Sequence, residues 1–137
     1  CPSISNPGQE NSDGDDYGDL CDCAPLDDTT WLEPSEGVSA FQITNASSDN
    51  LTWSLPGAAT WGSTSVVLDI LRSDNPYDFG TADCRASNLP AIISTFTDTD
   101  SPFPGVVWYY LVRMENGCGA DMGRDSEGTP RLGKECP

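Results

Sequence analysis

Between Asn11 and Cys23 the chain reads NSDGDDYGDLCDC, with five aspartates, two cysteines and no basic residue. With Asn11 as position one, oxygen-bearing groups recur at alternate places. Asn11, Asp13 and Asp15 stand at one, three and five, the Tyr17 backbone carbonyl at seven, Asp19 at nine and Asp22 at twelve. Alternate side chains of a tightly curled loop point inward, and a carboxylate further along closes the shell. A hard divalent cation wants about six to eight such oxygens at roughly 2.4 Å. Calcium suits the set better than magnesium, which keeps its waters and demands a stricter octahedron. The chain has no His, and cysteines held in disulfides leave no thiolate for zinc or copper.

The spacing is that of the calcium loop in EF-hands, but no helical periodicity flanks it. Around it stand Cys1-Pro2, Asn6-Pro7-x-Gln9 and Gly18-Asp19-x-Cys21-Asp22. Residues 1–22 resemble the thrombospondin type 3 repeat. The resemblance implies a calcium-binding segment over residues 1–28, braced by a Cys1–Cys21 disulfide. Closing a loop of that length is worth about 3 kcal/mol in the chain-entropy picture. Asn11 stands where the repeat usually has Asp, which keeps an oxygen and removes a charge. Asp16 replaces the usual Gly of the sharp turn and is expected to take a left-handed backbone at some strain. The paired sites of the repeat suggest Asp27 and Asp28 as ligands of a second ion.

The net charge of the 137 residues is −16, and the first basic side chain is Arg72. Nucleic acid and anionic membrane are therefore poor partners, since both need Lys/Arg clusters. No apolar run approaches a membrane span, so no membrane insertion is expected. No signal peptide is visible, as in a mature form or an excised piece. Six cysteines without His point to disulfides and an oxidising, extracellular or cell-surface location. Residues 1–36 carry ten acidic groups and almost no aliphatics. They cannot order themselves by apolar burial.

From Val38 short apolar runs alternate with turn signals, the pattern of an all-β two-sheet sandwich. Strands are expected at 38–45, 50–55, 65–72, 81–86, 92–98, 106–114 and 125–132. Leu51, Trp53 and Leu55 share one face, as do Val66, Leu68 and Ile70, with Asp69 turned out. Trp108, Tyr110, Val112 and Met114 share another, opposite Tyr109 and Arg113. Trp53 and Trp108 read as core, and Trp31 and Trp61 as local packing anchors.

Leu51-x-Trp53-x-x-Pro56, Ile70-Leu-Arg-Ser73 and the run from Gly105 to Gly119 resemble strands of fibronectin type III domains. The likeness is to the divergent, cysteine-containing form that accompanies type 3 repeats in bacterial secreted proteins. It implies an immunoglobulin-like sandwich over residues 36–137. Cys23, Cys84, Cys118 and Cys136 allow three pairings. In a sandwich of this kind the chain ends lie at opposite poles, which favours Cys23–Cys118 with Cys84–Cys136.

Catalysis is not expected. There is no His for a triad, no phosphate loop and no nucleophile beside a base. Asp69, Asp98, Asp100 and Asp121 read as solvated carboxylates on outward faces or loops. Asn45 and Asn50 head N-glycosylation patterns, and no Arg-Gly-Asp triplet occurs. The expected role is a secreted, calcium-stabilised structural module of a cell-surface or extracellular fibre or stalk, with other protein chains as partners through self-assembly. The alternative is an adhesive or carbohydrate- or protein-binding accessory domain.

Overall fold

The computed structural model describes residues 4, 5, 7–45 and 48–137. Among the described residues seven strands form, β1 (Ser39–Asn45), β2 (Asp49–Ser54), β3 (Val67–Ser73), β4 (Asp83–Pro90), β5 (Thr95–Asp98), β6 (Tyr109–Asn116) and β7 (Gly119–Asp121). They make two antiparallel sheets, one ordered β1-β2-β5 and the other β4-β3-β6-β7. The period-two alternation of β2, β3 and β6 explains the packing between them. Leu51 and Trp53 from one sheet meet Leu68, Ile70, Val112 and Met114 from the other in one buried cluster. Each fully buried aliphatic side chain there contributes about 1.5–3 kcal/mol.

The opposite face of β3 and β6 is covered as well. Leu71 and Leu111 pack with Phe79 and Ala82, and Met122 and Cys136 lie against them. The chain after β7 therefore crosses the outer face of the four-stranded sheet. Lys134 N–H donates to the Phe79 carbonyl at 2.9 Å, and Ser87 Oγ donates to the Pro137 carbonyl at 2.6 Å. The Cys84–Cys136 disulfide, with Cα atoms 5.8 Å apart, fastens this strap to β4.

The strand expected at 125–132 does not form. β7 is only three residues long and follows β6 directly. Asp125 instead closes a turn, its carboxylate accepting the N–H groups of Glu127 and Thr129 at 2.9 and 2.8 Å. Gly128 takes φ +81° there. Gly123, Gly128 and Pro130 interrupt the alternation a strand needs, and the apolar Met122 is drawn to the outer cluster. β4 begins later and runs further than expected, and β5 and β6 begin later.

Three side chains are placed differently from their sequence reading. Trp108 is not core. It lies half-buried before β6 with the Arg72 guanidinium 3.7 Å from its ring centroid, a cation–π contact. Asp69 and Asp98 are not solvated, each being 1% exposed. Both are buried because each is paired. Asp69 faces Arg113 across the β3–β6 ladder, 2.7 Å from its guanidinium, and also accepts the Asn88 N–H at 3.0 Å. Asp98 closes one end of the space between the sheets. It accepts from Arg72 at 2.8 Å and from Arg85 at 2.9 and 3.1 Å. The Tyr110 hydroxyl lies 3.0 Å from Asp98 and 2.9 Å from Asp49, its cross-strand neighbour.

Burial alone would raise the Asp98 pKa. The Asp100 N–H, Arg85, the Tyr110 hydroxyl and the Arg72 charge outweigh it and hold the carboxyl below its ordinary 3.8. Burial, with Asp49 and Asp98 beside it, pushes the Tyr110 phenol far above its ordinary 10.0. The depressed Asp98 contributes stability above pH 3.8 that is lost as pH falls through its folded pKa. The raised Tyr110 contributes stability below pH 10.0 that is lost as pH rises through its folded value. Removing one member of a buried pair leaves the other charge uncompensated. Asp98→Ala is therefore expected to cost about 3–5 kcal/mol in denaturant unfolding. Asp100→Ala, whose carboxylate is half exposed, is expected to cost about 1 kcal/mol or less. In metal-free buffer the acid limb of the wild-type stability profile should flatten in Asp98→Asn.

Candidate metal centre

The loop from Asn11 to Asp22 is shaped by side chains folding onto backbone amides. The Asn11 amide oxygen accepts the Gly14 N–H at 2.7 Å, and its nitrogen donates to the Asp15 carbonyl at 2.6 Å. Asp13 accepts the Asp15 N–H at 3.2 Å, Asp15 accepts the Tyr17 N–H at 2.6 Å, and Asp22 accepts the Ala24 N–H at 2.7 Å. This is the local bonding that makes Asp and Asn turn residues. The left-handed residue is Gly14, at φ +82°, and Asp16 is not among the positive-φ positions. The strain expected at Asp16 is therefore absent, because the glycine two places earlier makes the sharp turn.

Each of Asp13, Asp15 and Asp22 thus uses one carboxylate oxygen on the backbone. Their remaining Oδ2 atoms are buried and have no hydrogen-bond partner among the described residues. The three side chains converge, with candidate ligand oxygens all within 4.8 Å of one another. Asp22 is 9% exposed. No ion pair reaches any of the three among the described residues. At that spacing each pair of unit charges repels by on the order of 3 kcal/mol at an effective dielectric constant of about 20.

The other residues expected as ligands make further contacts in the loop. Asp19 braces the loop, accepting Ser12 N–H and Ser12 Oγ at 2.7 Å each, while its own N–H donates to the Glu10 carbonyl at 2.9 Å. Asn11 cinches the first turn. The Tyr17 ring leaves the loop and stacks on Trp31, with centroids 5.7 Å apart and planes 8° from parallel. Asp27 and Asp28 do not join the cluster. Asp27 accepts the Thr29 hydroxyl at 2.6 Å and the Thr29 N–H at 3.1 Å, and these bonds lower its pKa. Cys21 is disulfide-bonded, and Cys1, its expected partner, lies outside the described residues.

A joint that the sequence does not announce fixes this loop to the sandwich. Trp31 N–H and Leu32 N–H both donate to the Gly62 carbonyl, at 2.8 and 3.0 Å, and Thr64 N–H donates to the Thr29 carbonyl at 2.8 Å. Asn116 Nδ2 bridges the carbonyls of Leu32 and Trp61 at 2.7 and 2.8 Å. Thr30 and Ser63 join their hydroxyls at 3.0 Å and are both buried. The Cys23–Cys118 disulfide, with Cα atoms 5.6 Å apart, closes the same end. The ladder registers put Cys118 and Cys84 towards opposite ends of the four-stranded sheet. Trp31 is thus the link, its backbone on the sandwich and its ring on Tyr17 of the acidic loop. Trp61 is also an anchor, donating from Nε1 to the Pro56 carbonyl at 3.1 Å and packing against the core.

Compared with known protein families and with curated proteins, the chain matches none.

Gly62 has φ +65°, and a Cβ there would overlap the Leu32 carbonyl. Gly62→Ala should therefore unseat the joint, with a strain cost of about 1–3 kcal/mol. Limited proteolysis should show faster cutting within residues 7–35 than in wild type. An unchanged cutting pattern would mean that the joint does not hold the loop.

Proposed function

We propose that the chain is a non-catalytic extracellular structural module whose acidic segment is ordered by calcium, serving in a cell-surface or fibre-like assembly. The observation that carries this reading is the convergence of three buried, partnerless carboxylate oxygens from Asp13, Asp15 and Asp22. Burying carboxylate oxygens without a partner is costly, and a cation among the three would offset both that cost and their mutual repulsion. The donors are all hard oxygens, which fits calcium and not a nitrogen- or sulfur-seeking metal. Calcium supplies the positive charge and a flexible coordination shell. The chain supplies the rest. Gly14 makes the turn, the Asp15, Tyr17 and Ala24 amides orient the carboxylates, and Asp19 and Asn11 hold the loop closed. Tyr17, stacked on Trp31, connects loop order to the Gly62 joint.

The resemblance of residues 1–22 to the type 3 repeat is a further reason to favour calcium, and the two antiparallel sheets are compatible with a sandwich. An extracellular setting is favoured by two disulfides that span 95 and 52 residues. The accessory-domain alternative draws no support from Trp31 or Trp61, since both are half-buried anchors and not an exposed aromatic platform.

Calcium titration by calorimetry is expected to show binding that raises the melting temperature, and chelation should remove the gain. Asp13→Asn, Asp15→Asn and Asp22→Asn should each weaken binding at least about tenfold, a loss of about 1.4 kcal/mol. Asp74→Asn, on an exposed loop, should leave it unchanged. No binding heat at millimolar calcium would refute the reading.

A further inference from the structure

Beyond the metal centre, the sandwich has an unfinished edge. β3 pairs with β6 along its whole length, Tyr109 to Glu115. On its other side β6 pairs with β7 only at Met114–Asn116. A continuing β7 would run beside Tyr109–Arg113, but the chain leaves at Asp121 and turns onto the outer face of the sheet. β1, the edge of the other sheet, pairs only with β2. Between these two edges lies a cleft of about 560 Å³ walled by Phe41 and Ile43 of β1 and by Tyr110 and Val112 of β6. Ile43 is 45% exposed although its neighbours in the cleft are apolar. Tyr109 is exposed, whereas Leu111, Val112 and Arg113 are buried, so this edge lies within the cleft and not on the open surface. Among the described residues it has no strand partner, and such an edge beside apolar pockets is the geometry that accepts an added strand.

The charge at this cleft stands against the charge of the chain. Of six basic residues, Arg72, Arg85 and Arg113 are held in ion pairs with aspartates. Arg124 and Arg131 both line the cleft, are exposed, and make no ion pair among the described residues. Arg124 donates to the Gly128 carbonyl at 2.9 Å but, like Arg131, has no carboxylate partner among the described residues. On a chain of net charge −16, two such arginines beside this strand edge favour carboxylates on whatever lies there. We propose that the cleft between β1 and β6 receives an extended, acidic strand from another protein chain, which pairs its backbone with β6 at Tyr109–Arg113, sets alternate apolar side chains into the cleft and places carboxylates against Arg124 and Arg131. This names the contact surface of the assembly reading and rests on that part of it, while being independent of the metal.

Selection of random nine-residue peptides displayed on phage against the calcium-loaded chain tests it, with counter-selection on an Arg124→Glu/Arg131→Glu variant. Both arginines are exposed, and a matching melting curve confirms that the variant is folded. The expected pool alternates apolar residues, lacks proline at the paired positions and is enriched in Asp and Glu. Its members should bind the variant at least about tenfold more weakly and protect from hydrogen exchange those amides of residues 109–113 that point away from β3. If no peptides are enriched, if the pool is basic or binds the variant equally, or if protection falls elsewhere, the proposal is wrong. Repeating the selection in chelator separates the two claims, because peptide capture that persists without calcium leaves only the metal reading in question. A chain that self-associates without peptide, and loses this on charge reversal at the two arginines, would identify a second copy as the source of the strand.

Discussion

Three carboxylates that face one another set the main electrostatic constraint on the acidic loop. Asp13, Asp15 and Asp22 each satisfy one oxygen on a backbone amide and leave the other buried without a donor. That segment has no hydrophobic core, so turns, disulfides and a stacked ring must do what apolar burial does elsewhere. Repulsion within the cluster works against the same turns that create it, and a cation reverses its sign. In the proposed reading, calcium at this one point orders the loop, and the Tyr17–Trp31 stack carries that order to the attachment.

The sandwich manages its own charges differently. It encloses Asp69 and Asp98 but gives each an arginine partner, Arg113 on the outer face and Arg72 with Arg85 at the end of the core. These pairs cost desolvation, and their net value depends on complete hydrogen bonding. Asp98 is well provided, with two arginines, a tyrosine hydroxyl and the Asp100 N–H around it. Its network ties β3 and β6 of one sheet to β5 of the other, where apolar packing ends. The same scaffold uses paired charges within the sandwich and, in the acidic loop, leaves carboxylate oxygens without a partner among the described residues at the proposed calcium site.

Much of this was legible from residue order. The alternation at Leu51-x-Trp53, Leu68-x-Ile70 and Val112-x-Met114 located the inner faces, because period two is a local property of the chain. The convergence of Asp13, Asp15 and Asp22 followed from oxygen spacing. The disulfides Cys23–Cys118 and Cys84–Cys136 match the pairing that sandwich geometry favoured. Long-range partnership was not legible. Asp69 reads as an outward carboxylate until Arg113 is placed across the ladder and the strap from Met122 to Cys136 covers that face. Trp108 reads as core until Arg72 is found over its ring. Asp16 reads as strained until Gly14 is seen to make the turn. The truncated β7 was hidden because Gly123, Gly128 and Pro130 mark a break without saying where the chain goes next.

The most direct test of the central claim is anomalous diffraction at long wavelength from crystals grown with calcium. The account predicts a calcium peak among Asp13, Asp15 and Asp22, with ligand distances of about 2.3–2.6 Å to their oxygens. A map with no peak there, and with the three carboxylates turned apart into solvent, would contradict it.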